Sequence, residues 1–303
     1  MMRASRLAVA ALCLAVGPLA LPSPAQEAIP VSRSKEAANQ LRIGIMENMF
    51  RDLPRSLVFG VSKPFEQLLT AHTGMNGSMN LYAEADEMAR KIRAGELELG
   101  VFHGYEFAWM KQKHPELEPL VVAVPMYRKS YACIVVGENS NVTCMADLAG
   151  KSVAMPNGVK EFARLYFDRG CNCETGKIKF DKVTNPLSTE DALDDVVDGI
   201  VDACVVDATA LQSFANRKSG RYKRLKIACE SIHFPMTVIA CKKGSLSDTL
   251  VTRIKAGLTS AQSTAQGRTM MGLWKLAGFE AIPGDFEAQL QRTLKQYPAP
   301  AKN

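Results

Sequence analysis

Aromatic residues are scarce in this 303-residue chain, at 7%, and histidine occurs four times, at positions 72, 103, 114 and 233. No H-E-x-x-H pair is present, which excludes the helical zinc-hydrolase pattern, and no G-x-S-x-G marks an esterase-type serine. Gly150-Lys151-Ser152 shares the end of a phosphate loop, but Met145 stands where the first glycine must, and the tripeptide precedes a strand-like run. Cys171-Asn172-Cys173 lacks a second cysteine pair or a nearby histidine, so it is no zinc ribbon. Charge of one sign is lacking too. With 37 Lys+Arg against 31 Asp+Glu in mixed runs and a net +6, there is no basic tail for nucleic acid. These absences turn the reading away from an enzyme, and it assigns no catalytic residue, no metal site and no cofactor.

The first 25 residues read as an export signal. Arg3 and Arg6 supply the positive start, Leu7 to Leu21 the apolar stretch, and Ser23-Pro24-Ala25 the small residues for cleavage before Gln26. That stretch is shorter than the roughly 20 residues of a membrane span, and no later apolar run approaches such a length. Cleavage removes two arginines and leaves a net +4, a mild attraction for anions. The mature chain is expected to be soluble, monomeric and either periplasmic or extracellular. It keeps seven cysteines, at 133, 144, 171, 173, 204, 229 and 241, so at least one thiol has no partner within the chain. Export predicts one to three disulfides. Cys133, Cys204, Cys229 and Cys241 nevertheless lie in apolar strand-like runs, where a small buried hydrophobe is an equally natural role.

After a polar tail at 26–40 the pattern alternates. Leu41 to Met46 is a short apolar strand, and Pro64 is placed as a first helical residue ahead of Phe65, Leu68, Leu69 and His72. Met79 to Tyr82 is a strand, Ala85 to Ala94 a helix stopped by Gly95, Leu97 to His103 a strand, and Phe107 to Lys113 a helix. The same order recurs: strand at Lys151 to Met155, helix through Val159, Phe162 and Phe167, strand at Ile178 to Val183, helix at Glu190 to Asp198, strand at Ala203 to Val206. Gly95 to Tyr105 overlies Gly199 to Thr209 at an offset of 104, and Ile45 to Asn48 overlies Ala154 to Asn157 at 109. Two α/β lobes of like architecture follow.

Val121 to Met126 and Tyr131 to Val136 join the halves, and Ile232 to Ala240 leads back. Helical stretches through Leu246, Leu250, Ile254 and Leu258, then Met270 to Leu276, then Phe286, Leu290 and Leu294 come too late for the second lobe and return to the first. The chain divides into 41–126 plus 234–303 and 127–233, joined by a two-strand hinge near 124–131 and 232–237.

Three segments carry a resemblance: LRIGIMEN (41–48), YACIVVGENSNVTCMADLAGKSVAM (131–155) and DALDDVVDGIVDACVVD (191–207), followed by IHFPMTVIA (232–240). Together they resemble the type II periplasmic solute-binding proteins of ABC importers, most like the phosphate/phosphite/phosphonate branch. The resemblance implies two Rossmann-like lobes closing on a small solute, with a transporter permease as partner. A binding protein for a signalling partner, or a metal-ion binder, are alternatives on the same fold. The hydroxyl-rich loop with which phosphonate binders cradle the anion is replaced here by Met155-Pro156-Asn157-Gly158-Val159-Lys160.

In open parallel sheets, ligands sit beyond the carboxyl ends of the strands. That rule selects Glu47 and Asn48 after the first strand, and His103, Tyr105 and Glu106 after the third. In the second lobe it selects Asn157, Lys160, Ser188, Asp207 and Thr209 as ligand-binding candidates, with Asn185 nearby. Glu98 and Asp202 enter their strands and read as structural. Carboxylates at 47 and 207 facing Lys160 and a helix N-terminus suit a zwitterionic solute, phosphonate-like or amino-acid-like.

Overall fold

β1 (Gln40–Met46) is buried from Ile43 onward, as expected of a central parallel strand. It opens the described part of the chain: this computed structural model describes residues 39–300 except 52, 54, 174 and 175. The export signal and nearly all of the polar tail lie outside the described residues. α1 (Arg55–Thr73), β2 (Asn76–Tyr82), α2 (Ala85–Ala94), β3 (Leu99–Phe102), α3 (Gly104–Lys113) and β4 (Leu117–Pro125) follow.

The chain then enters a second sheet. β5 (Ala132–Gly137), β6 (Ser152–Ala154), α4 (Glu161–Gly170), the hairpin of β7 (Asn172–Cys173) and β8 (Gly176–Lys177), β9 (Lys182–Thr184), α5 (Thr189–Val197), β10 (Ala203–Asp207), α6 (Ala208–Arg217), α7 (Ser219–Tyr222) and β11 (Leu225–Glu230) succeed one another. It returns through β12 (Thr237–Lys242), α8 (Asp248–Thr259), α9 (Ala265–Trp274), β13 (Leu276–Glu280) and α10 (Phe286–Gln296).

The first sheet runs β13-β4-β12-β3-β1-β2 and the second β11-β5-β10-β6-β9. Each contains a parallel trio (β3-β1-β2, β10-β6-β9) with an antiparallel strand on the same flank, β12 or β5. Equivalent acids tie the two trios at the same point. Glu98 accepts from the backbone N–H of Arg42 at 2.7 Å, and Asp202 from that of Ser152 at 2.8 Å. Gly95 and Gly199 end α2 and α5 in left-handed conformations (φ 74° and 72°), which glycine adopts without steric cost.

Apolar layers cover both faces of each sheet. Leu69, Phe65 and Met270 from α1 and α9 pack with Ile43, Ile45 and Ile254, so α8 and α9 belong to the first sheet. A separate aromatic cluster forms where the lobes meet: Tyr105, Phe234 and Tyr297, with Trp109, Phe162 and Tyr166 against it.

Two segments cross between the sheets, 126–131 and 231–236. They are bonded side by side, with Phe234 N donating to Ser130 O at 2.8 Å and Ser130 Oγ to Phe234 O at 2.7 Å. Tyr127 and Arg128 in the first crossing hold φ of 64° and 55°. Such left-handed backbone is disfavoured for side-chain-bearing residues and persists where the surroundings fix it. Arg128 is fixed by Glu280, at 2.7 and 2.8 Å.

Several sequence expectations need correction. Pro64 lies inside α1, because the apolar stripe continues upstream through buried Val58, and that burial offsets the hydrogen bond the proline removes. Residues 178–183 form only the short exposed edge β9, with Ile178 and Phe180 packed from a loop. Leu276 starts a strand, since Lys275 turns left-handed (φ 54°) and stops α9.

Cys133, Cys144, Cys204, Cys229 and Cys241 are free thiols, which corrects the expected disulfides for these five. Cys133 and Cys204 share a layer, yet Cys133 pairs with Val206 and Cys204 with Val135. Diagonal neighbours of that kind stand about 7 Å apart, too far to bridge.

Candidate functional site

The carboxyl ends of β1 and β3 in the first lobe face the start of α4 in the second. After β1 the chain makes a single turn, Glu47–Phe50, which carries Asn48 and then Arg51. β3 ends at Phe102, so His103 caps α3 and Tyr105 and Glu106 fill its first turn. Gly104 is required there. A Cβ at that position would lie 2.0 Å from the carbonyl oxygen of Pro235 in the second crossing.

Asn48 links the first-lobe groups. Its amide donates to Glu106 Oε1 at 3.3 Å, and its Oδ1 accepts from His103 Nε2 at 3.0 Å. Burial holds the His103 imidazole down at about 3, helped by the charges of Lys160 and Arg51, so the ring is neutral. Burial pushes the Glu106 carboxyl up to about 7, against the stabilising bond from Asn48. Its other oxygen, Oε2, is buried without a hydrogen-bond partner. The Tyr105 ring stacks on His103 at 5.6 Å, and burial with the neighbouring Glu106 charge raises its phenol.

From the second lobe, Lys160 caps α4 without a side-chain hydrogen bond, and Glu161 opens the helix while 9% exposed. The Glu161 carboxylate pairs with the Arg51 guanidinium across the lobes: Nε donates to Oε1, and Nη2 to Oε2 at 3.2 Å. Arg164 supports it from one turn on. Its Nη2 donates to the carbonyls of Pro156 and Asn157 at 2.7 and 2.9 Å, while its buried Nε lies 3.6 Å from Glu161 Oε1 with no hydrogen-bond partner. Trp109, Phe162, Phe234 and Tyr297 close the rear, with ring centroids of 4.8 Å between Phe234 and Tyr297 and 5.4 Å between Phe162 and Phe234.

Of the residues selected from sequence, Asn48, His103, Tyr105 and Lys160 gather in this cluster, together with Glu106. Glu47 lines a hollow of about 380 Å³ beside Asn48 and Arg51. The remaining four stand apart in structural settings. Asn157 is exposed and its carbonyl serves Arg164; Ser188 caps α5, accepting from Asp191 N at 3.1 Å. Asp207, the register equivalent of His103, caps α6 by accepting from Ala210 N at 3.0 Å. Thr209 Oγ1 bonds the crossing-segment carbonyls of Met126 and Lys129 at 3.0 and 3.1 Å. Sequence reasoning missed Arg51, Glu161 and Arg164. The i,i+3 spacing of Glu161 and Arg164 was the available signal. A larger hollow of about 500 Å³, lined by Lys151 and Asp202, lies at the amino ends of β6 and β10, away from this cleft.

The cleft thus presents three cations, one ion-paired carboxylate, one neutral imidazole and one acid that is protonated below about pH 7. Such a set can hold an anionic group by charge and a donor group by the free acid oxygen. Among the described residues, no three His, Cys, Asp or Glu side chains converge as a metal site.

A Xanthomonas citri protein solved with bound ATP superposes at a TM-score of 0.60, with 14% identity over 86% of this chain and 97% of that one. PhnD1 of Prochlorococcus marinus, solved with methylphosphonate, gives 0.58 at 12% identity over 85% and 98%. The binding component of a Pseudomonas aeruginosa ABC phosphonate transporter gives 0.53 at 14% over 84% and 87%. No curated protein matches in sequence. The family described as "ABC transporter, phosphonate, periplasmic substrate-binding protein" matches residues 61–285, most of the described chain. With its two-lobed fold, this chain belongs to the periplasmic substrate-binding proteins of phosphonate ABC transporters.

Proposed function

We propose that this protein, exported by the signal at 1–25, captures a small organophosphonate between its lobes as a monomer and delivers it to the permease of an importer. The observation that carries the reading is the Arg51–Glu161 pair. A first-lobe guanidinium meets a carboxylate at the uncapped start of α4, so the protein's own anion occupies a seat built for one. A phosphonate entering an opened cleft takes Arg51 and Lys160 together with the free N–H groups of α4. The lobes 41–126 plus 234–303 and 127–233 then close by rotation at the two crossings.

One further observation favours a solute that also carries an ammonium group. Glu106 Oε2 is buried and unpartnered, and a buried acceptor in that state is costly until a donor reaches it. On this reading the ammonium completes the Glu106 carboxyl beside Tyr105 and the His103 backbone, while Asp207 Oδ1 caps α6.

Thermal shift with methylphosphonate and 2-aminoethylphosphonate tests the reading. Ligand at 100-fold its dissociation constant adds about 2.7 kcal/mol, a rise of several degrees. No shift with either compound, alongside a shift with an amino acid or a simple metal salt, contradicts it.

A further inference from the structure

Asn76-Gly77 and Asn157-Gly158 are both Asn–Gly pairs, and both asparagines are exposed. An asparagine amide is lost most easily at such a pair, because glycine leaves the following backbone nitrogen unhindered. The reaction needs that nitrogen to turn toward the side-chain carbon. Gly77 is held against it. It pairs with Leu41 in the β1–β2 ladder, and its N–H donates to Thr70 Oγ1 at 3.2 Å. A Cβ on Gly77 would lie 3.1 Å from the carbonyl oxygen of Glu66, so the strand has little room to shift. Gly158 stands in a turn outside any ladder, closed by Val159 N donating to Pro156 O at 3.2 Å. Among the described residues, no hydrogen bond holds the Gly158 N–H or the Asn157 side-chain amide. Arg164 Nη2 donates to the Asn157 carbonyl at 2.9 Å, which polarises the Asn157–Gly158 peptide and makes its N–H easier to deprotonate.

We propose that Asn157 is a site of spontaneous modification, losing ammonia to become aspartate or isoaspartate and placing a carboxylate at the approach to α4. Solvent hydroxide removes the Gly158 N–H proton, the nitrogen bonds to Asn157 Cγ, and the Cγ–Nδ2 bond breaks as ammonia leaves. Water then opens the cyclic imide. Opening at Cγ gives aspartate; opening at the backbone carbonyl gives isoaspartate, with the main chain rerouted through the side chain. The net change is amide plus water to acid plus ammonia. Either product adds a negative charge three residues before Lys160, and isoaspartate also disturbs the carbonyl that Arg164 holds. The consequence for binding rests on the cleft being an anion seat: the new charge repels the solute and weakens it.

Ageing the full chain in warm, mildly alkaline buffer, followed by peptide mapping by mass spectrometry, tests the modification. Asn157 should convert, and Asn76 about tenfold or more slowly, since its strand must first open locally. Gly158 does not have a positive φ, so Gly158→Ala fits the backbone and should largely stop conversion at Asn157 by hindering the attacking nitrogen. Equal conversion at both asparagines, or undiminished conversion in Gly158→Ala, overturns the site. Ion exchange separates the aged form, and calorimetry should show it binding methylphosphonate about fivefold or more weakly than fresh protein, with Asn157→Asp reproducing the charge effect. Aged protein that binds as tightly as fresh protein overturns the consequence. No binding by fresh protein overturns the functional reading and the consequence together, while the peptide map still decides the modification.

Discussion

Arg51 and Glu161 join the lobes from opposite sides of the cleft, the guanidinium following β1 of the first sheet and the carboxylate opening α4 of the second. The Arg51 side chain keeps 51% of its surface exposed and that of Glu161 10%, so the pair lies between a surface ion pair and a buried one. Its coupling should be about 1–2 kcal/mol, above most exposed pairs. A double-mutant cycle with Arg51→Gln and Glu161→Gln, followed by urea unfolding, measures it. Additive single-variant effects within 0.3 kcal/mol, roughly the usual error, contradict the pairing.

Glu106 gives the stability a pH signature. Its carboxyl is held at about 7 in the folded protein, above its ordinary value, so the folded state binds the proton more tightly than the unfolded chain. The associated stability is complete below about pH 4.5 and is lost as pH rises to about 7, by roughly 3 kcal/mol. His103 changes stability the opposite way, from about pH 3 upward, but it is present in both wild type and Glu106→Gln, so the difference between the two isolates Glu106. Unfolding free energies measured from pH 4.5 to 7.5 should show the Gln variant gaining on wild type with rising pH. A constant difference contradicts the buried-acid assignment.

The two-lobed order was legible because each parallel trio repeats the same local cues: an apolar strand, an amphipathic helix, and Gly95 or Gly199 at its end. β13 was hidden by Lys275, whose left-handed turn no composition signals. In the site, the strand-end rule reached Asn48, His103, Tyr105, Glu106 and Lys160, since those positions are fixed by topology. It reached Asp207 and Thr209 on the same logic, yet their side chains cap a helix and hold a crossing segment. Arg51 and Glu161 were not legible. Their meeting depends on how the lobes face each other, which leaves no periodicity within either half.

Asp207 separates a cap from a ligand contact. Asp207→Ala should destabilise by about 1 kcal/mol and Asp207→Asn by little, because asparagine caps as well as aspartate. Phosphonate affinity should stay within threefold for the Asn variant by calorimetry. A tenfold loss of affinity in that variant returns Asp207 to the ligand.

The C-terminal segment links the lobes a third time. Trp109 Nε1 donates to Tyr297 O at 2.7 Å, Arg169 Nη2 to Pro298 O at 2.8 Å, and the Tyr297 ring rests on Phe234. Tyr297→Ala should cost about 3 kcal/mol, as for other buried aromatics, and enlarge the ligand-free radius of gyration by scattering. Unchanged stability and an unchanged radius together contradict a strap.

If Arg51 and the start of α4 form an anion seat between the lobes, removing the guanidinium must weaken a bound anion. Titration of methylphosphonate into wild type and Arg51→Met by calorimetry tests it most directly. The account predicts saturable one-to-one binding to wild type and at least a tenfold loss in the variant, from removing a desolvated charge partner. Equal affinity for both proteins, or no binding to wild type, would contradict it.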